Sequence, residues 1–177
     1  MKKNTVKVAA EMDVVDRIID GWHRQMKDFD DLPLRVFGRM TRVNRLLELN
    51  LKSFFESRGL SISDYDLLAS LYRRGAPYRA KPSDIAKNSL LTSAGVTLRV
   101  DRLVEGKYAE RFHDKVDRRI VQVGLTAEGL KLIKSLATVH TKRERKMVEI
   151  LSVDERRTLE KAFRKLESYL INSDWPQ

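Results

Sequence analysis

The sequence has 177 residues, 42% apolar and 34% charged, which suits one domain or one compact domain with helical extensions and excludes wholesale disorder. Its 35 Lys and Arg against 25 Asp and Glu give a net charge of +10, which favours a polyanionic partner, nucleic acid or an anionic membrane surface, without choosing between them. The chain has no cysteine, which removes disulfides, thiolate metal sites and thiol redox switches, and no apolar run near the roughly 20 residues that cross a bilayer.

The basic start Met1-Lys2-Lys3 is followed by Lys7, Glu11 and Asp13, which interrupt any apolar core of a secretory signal, so a cytoplasmic protein is expected. No internal repeat and no low-complexity linker is present. Val14, Val15, Ile18, Ile19 and Trp22 share one face of a helix over 12–26. Asp28, Phe29, Asp30, Asp31 and Pro33 break it. A long helix over about 34–57 then carries Phe37, Met40, Val43, Leu47, Leu51 and Phe54 at steps of three and four, with Gly59 after its end. Ser63 with Asp66 has the form of a capping box and opens a helix with Leu67, Leu68, Leu71 and Tyr72, which stops at Gly75-Ala76-Pro77. Pro82 starts a short helix to about Ser89, without a side-chain cap before it. Thr92 or Ser93 caps a third helix that ends near Glu105-Gly106.

The period then changes to two over Tyr108–His113 and again over Ile120–Leu125, on either side of a polar stretch read as a hairpin tip. Helical spacing returns with Leu130, Ile133 and Leu136 and continues to about Ile150. Ser152 and Glu155 form a second capping box, which opens a last helix with Leu159, Phe163, Leu166 and Leu170 as its stripe. The fold expected is mainly α with a small β-hairpin wing, a winged helix-turn-helix at 60–126. It lies between helical segments at 1–59 and 127–177 whose long stripes exceed what so small a domain covers, so these are read as dimerisation helices.

The helix from 93 to 105 is the candidate DNA reader, because a helix fits the major groove with its N-terminal side chains against bases and phosphates. Val96, Val100 and Leu103 share its inward face, Thr97 and Arg102 point away from it, and Ser93 and Arg99 sit on the shoulders. Thr92, Ser93, Thr97 and Arg102 are the expected contacts. At the hairpin tip, an arginine can enter a narrow minor groove, held in shape by a nearby carboxylate; Asp117, Arg118 and Arg119 supply these groups. Taken singly, each signal is also met by an ordinary solvated face; the two in this order are far stronger. The basic run Lys142, Arg143, Arg145 and Lys146 reads as a solvated face, and His23, His113 and His140 have no metal-ligand spacing. No nucleophile with its base, no glycine-rich phosphate loop and no two-carboxylate cleft has a sequence signature, so neither catalysis nor a cofactor is expected.

From Tyr65 to Gly129 the sequence resembles the MarR family. The likeness is carried by Asp66-Leu67-Leu68-Ala69-Ser70-Leu71, Pro82-Ser83-Asp84-Ile85-Ala86, Val96-Thr97, Val100-Asp101-Arg102-Leu103, and Asp117-Arg118-Arg119 running into Val123-Gly124-Leu125-Thr126-Ala127-Glu128-Gly129. The resemblance implies an obligate homodimer, inverted-repeat operators on double-stranded DNA, and repression relieved by a small aromatic ligand. Ala80-Lys81 before the helix at 82, and the lack of proline near the wing tip, depart from the family pattern. Trp22, Asp66, Arg99 and Arg111 occupy places that resemble the urate-responsive branch, which implies a flat purine anion stacked on the tryptophan and bonded by the arginines. The bland alternatives are a dimer-core Trp22, an Asp66 that only completes its capping box, and solvated arginines. The rival functions are a non-specific or architectural nucleic-acid-binding protein and a protein-interaction module.

Overall fold

A computed structural model describes residues 12–91, 93–113 and 121–173, and of Ser93 only the backbone. The chain divides into two compact units, one spanning 9–136 and a second whose described part runs from Ala137 to Ser173.

The first unit begins with α1 (Val14–Gln25), capped reciprocally by Asp13 and Asp16, then α2 (Leu32–Glu56) with Pro33 in its first turn. Val15 and Ile19 of α1 are buried, and Arg39 of α2 holds Asp16 at 2.6 Å and Asp13 at 3.1 Å. Arg35 of α2 bonds Asp31 at 2.8 Å. With His23 as a second partner, it holds the Asp31 carboxyl down to about 2. Of the 25 residues of α2, the buried ones, Leu51, Phe54 and Phe55, all lie near its C-terminus. Gly59, at φ +70, turns the chain out of α2 in a conformation other residues rarely adopt.

Next come α3 (Ile62–Arg73), β1 (Arg79–Ala80), α4 (Pro82–Lys87) and α5 (Ser93–Glu105). They are followed by β2 (Ala109–His113), β3 (Val121–Leu125) and α6 (Ala127–Val148), which starts in this unit and ends in the second. The core is apolar and contiguous in composition: Phe55, Leu60, Leu67, Leu68, Leu71, Ile85, Val96, Val100, Leu103, Val123 and Ile133 are all buried. The three strands form an antiparallel sheet in the order β1-β3-β2, with Arg79 and Glu110 both opposite Gly124. Ala80, Ala109, Val123 and Leu125 share one face and are buried, so that face lies on the helices. The other face carries the Arg79 guanidinium 3.3 Å from the Phe112 ring centre, passing over Gly124. A Cβ at Gly124 would meet Arg79 Cγ at 2.7 Å and Phe112 at 2.8 Å. At Gly129 a Cβ would collide with the Tyr108 carbonyl, so only glycine lets the start of α6 pass there. Thr126 secures the same crossing, its hydroxyl donating to Lys107 O at 2.7 Å and accepting from Gly129 N at 3.0 Å.

The second unit contains the rest of α6 and α7 (Val153–Asn172), opened by the Ser152–Glu155 capping box that the sequence indicates. Reciprocal bonding to Ser152 lowers the Glu155 pKa. None of the α7 residues is buried.

Two local expectations are corrected. The capping box of α3 is not Ser63 with Asp66 but Ser61 with Asp64, two residues earlier. Ser61 Oγ accepts from Asp64 N at 3.1 Å, and Asp64 Oδ2 accepts from Ser61 N at 2.7 Å. The buried Leu60 sets the entry point, so the helix starts directly after it. The wing sheet also has a third strand, the two-residue β1, which the local pattern of Arg79-Ala80 does not reveal.

Candidate nucleic-acid interface

The α5 helix is seated by Val96, Val100 and Leu103, exposed by 2% or less, as its wheel predicts. On the opposite side, Ala94, Thr97, Leu98 and Asp101 are exposed, one or two turns from the helix start. Thr97 therefore lies on the outward strip, as expected of a groove contact. The side chain of Ser93, and Thr92, Asp117, Arg118 and Arg119, lie outside the described residues, so the expected contacts there are not placed.

The shoulders of α5 are tied to α3 through Asp64. This carboxylate is fully buried, 3.8 Å from Arg99 Nη1 and 3.5 Å from Arg102 Nη1. Arg102 also donates to Gly59 O at 3.2 Å. The Arg102 guanidinium is thus met by Gly59 O of the α2–α3 connection and by Asp64 of α3, while its side chain stays 50% exposed. Arg99 has a side chain one quarter exposed, half-turned to the protein as its shoulder position implies.

Two further ties hold the region before and after the helix. Asp66 accepts from Leu90 N at 2.8 Å, and Arg73 donates to Asn88 O at 3.2 Å. Both contacts run from α3 to the turn that leads into α5. Asp66 therefore has a structural task other than the cap expected of it. On the wing, Arg111 of β2 pairs with Asp101 of α5, joining ribbon to reader.

The four residues considered for a ligand have separate partners in this structure. Trp22 is 46% exposed and stacks on Phe29 with ring centres 5.4 Å apart. Asp66 holds the turn, Arg99 faces Asp64, and Arg111 bonds Asp101. Neither arginine is merely solvated. Sequence reasoning missed Asp64 and Asp101. For Asp64 a signal existed, since Ser61-x-x-Asp64 fits the capping pattern as well as Ser63-x-x-Asp66 does. For Asp101 there was none, because its partner lies on another element.

Among the described residues no group of His, Cys, Asp and Glu could hold a metal ion, and no helix is long and apolar enough to cross a membrane. A helix seated on two others, with its outer strip bare and two antiparallel strands following it, defines a winged helix-turn-helix.

Comparison with known proteins agrees. The MarR family model matches residues 60–121. The HTH-type transcriptional regulator PecS of Dickeya dadantii is 33% identical over 159 residues, covering 90% of this chain and 96% of that protein. Among solved structures, AbsC, a MarR family transcriptional regulator from Streptomyces coelicolor, aligns with a TM-score of 0.73 at 23% identity, over 82% of this chain and 98% of its own. The S. aureus MepR–DNA complex aligns with a TM-score of 0.68 at 22% identity, over 75% and 96%. The chain belongs to the MarR family of helix-turn-helix, DNA-binding transcriptional regulators.

Proposed function

We propose that the chain is a cytoplasmic, ligand-responsive repressor that binds a pseudo-palindromic operator as a homodimer. The observation that carries this reading is the display of α5, with one face locked into the core and the other bare beside the wing. A relative of the same fold has been solved on DNA. Thr92, Ser93, Thr97 and Arg102 contact DNA from the reading helix, at the major groove, and Asp117, Arg118 and Arg119 of the wing contact the minor groove. A twofold assembly sets half-sites about one helical turn, roughly 10 bp, apart.

Dimerisation is supported by apolar stripes that are exposed among the described residues. Val36, Phe37, Met40, Val43 and Leu47 of α2 are exposed, as are Leu159, Phe163 and Leu170 of α7. Continuous apolar stripes of this kind mark interfaces rather than free surface. Segments 1–59 and 127–177 are accordingly the dimerisation regions.

The effector is a small aromatic anion such as urate, stacked on Trp22 and bonded by Arg99 and Arg111, with the Asp66 carboxylate of the same site repelled by it. What supports this is the wiring of three of them. Asp66 and Arg99 hold the approach and the shoulder of α5, and Arg111 holds Asp101, so a ligand that recruited the two arginines and repelled Asp66 would release the reader. The ligand must prefer the released arrangement, otherwise it shifts nothing.

Titration of labelled promoter DNA from the gene's own neighbourhood, with and without urate and against excess random DNA, tests the whole reading. Specific binding survives competitor by orders of magnitude, and urate weakens it. Equal displacement by random DNA would instead indicate a non-specific or architectural protein. In Arg99→Ala, operator binding persists in part while its release by urate is blunted. A loss of about 1–3 kcal/mol confined to one guanine would make Arg99 a base reader and remove it from the effector site.

A further inference from the structure

The outward strip of α5 has an unusual chemistry for a DNA reader. Ala94, Thr97 and Leu98 present methyl groups and a single hydroxyl, and Leu98 is 60% exposed. Among the described residues, the charged side chains nearby have partners within the protein: Asp101 takes Arg111, while Arg99 and Arg102 face Asp64. None of the three strip residues can bond guanine or adenine bidentately, and the Thr97 hydroxyl makes only single bonds without strong discrimination. The feature of a major-groove base edge that an aliphatic side chain can read is the C5-methyl of thymine. A solitary exposed leucine is ordinary on a protein surface. On the middle of a reading strip, beside two further methyl-bearing residues, it is placed against the base edges.

We infer that Leu98 is a specificity-determining residue that selects thymine by contact with its C5-methyl group, in an interface that discriminates by apolar fit more than by hydrogen bonding. This inference deepens the proposed reading role of α5 and rests on it.

The test uses the full-length protein. An operator is selected from a randomised duplex library, and each thymine in it is then replaced singly by deoxyuridine, which removes the methyl and keeps every hydrogen-bonding group. One or two substitutions per half-site weaken binding by the parent about 4-fold, the loss expected for one buried methyl. Leu98→Ala binds the thymine and uracil operators equally at those positions. Leu98→Arg, with the same helical content by circular dichroism, shifts the library consensus there from thymine toward guanine. Unchanged parent affinity for every uracil operator would overturn the inference, and so would full thymine discrimination retained in Leu98→Ala. A library that yields no consensus at all would remove the reading role of α5 itself, a result distinct from either.

Discussion

Replacing Asp64 by alanine tests how the reading helix is held. The carboxylate completes the reciprocal cap of α3, taking Ser61 N at 2.7 Å, and faces two guanidinium groups of α5 at 3.8 Å and 3.5 Å. Loss of a capping interaction costs about 1 kcal/mol. A fully buried pair broken at one partner would cost about 3–5 kcal/mol, but the Arg99 and Arg102 side chains are 25% and 50% exposed and water screens them. A contribution of about 1–2 kcal/mol is therefore appropriate to the pairs, giving about 2–3 kcal/mol in all, or roughly a 30- to 160-fold fall in the folded-to-unfolded ratio. Urea unfolding at one fixed protein concentration measures this, since association couples stability to concentration. Asp64→Asn keeps the size and an acceptor for Ser61 N but loses the charge, so it falls about midway. Losses below about 0.5 kcal/mol in both variants, the range of ordinary surface changes, would show that the carboxylate is not a structural tie.

Three other outcomes are expected. Gly129→Ala drives a methyl group into the Tyr108 carbonyl and lowers stability by about 1–3 kcal/mol, read as a drop in Tm; an unchanged Tm would mean that the start of α6 yields freely. The Asp31 carboxyl, lowered from 3.8 to about 2 by Arg35 and His23, gives a contribution that is full above about pH 4 and fades as pH falls toward 2. Carbon-detected NMR finds its midpoint near 2 in the parent and nearer 3.8 in Arg35→Ala, and identical midpoints would dismiss the pair. Arg119→Ala weakens operator binding, most at A·T-rich flanks where the minor groove is narrow, and a mobility-shift series in which the flanking sequence makes no difference would remove the wing from recognition.

Much of the fold is written locally. Val96, Val100 and Leu103 fall on one helical face by spacing alone, and each is buried. Ser152 and Glu155 lie three residues apart, which suffices to identify the start of α7. The failures have equally physical causes. Ser61-x-x-Asp64 and Ser63-x-x-Asp66 overlap, and only the burial of Leu60 decides between them. The strand β1 has two residues and exists by pairing with β3, so its own composition holds no trace of it. At the site, spacing places Arg99, Arg102 and Arg111 on their elements but does not choose their partners. Asp64 lies some 35 residues before Arg99, and a contact between them depends on how α3 and α5 cross.

The split between the two sides of α5 has an evolutionary corollary. The residues that keep the helix in place are not the exposed Ala94, Thr97 and Leu98, so alterations to these three leave the anchoring intact. Under the proposed reading role, target preference drifts or is re-engineered here without spending the protein's thin margin of stability, and duplicated copies of such a gene acquire new operators in few steps.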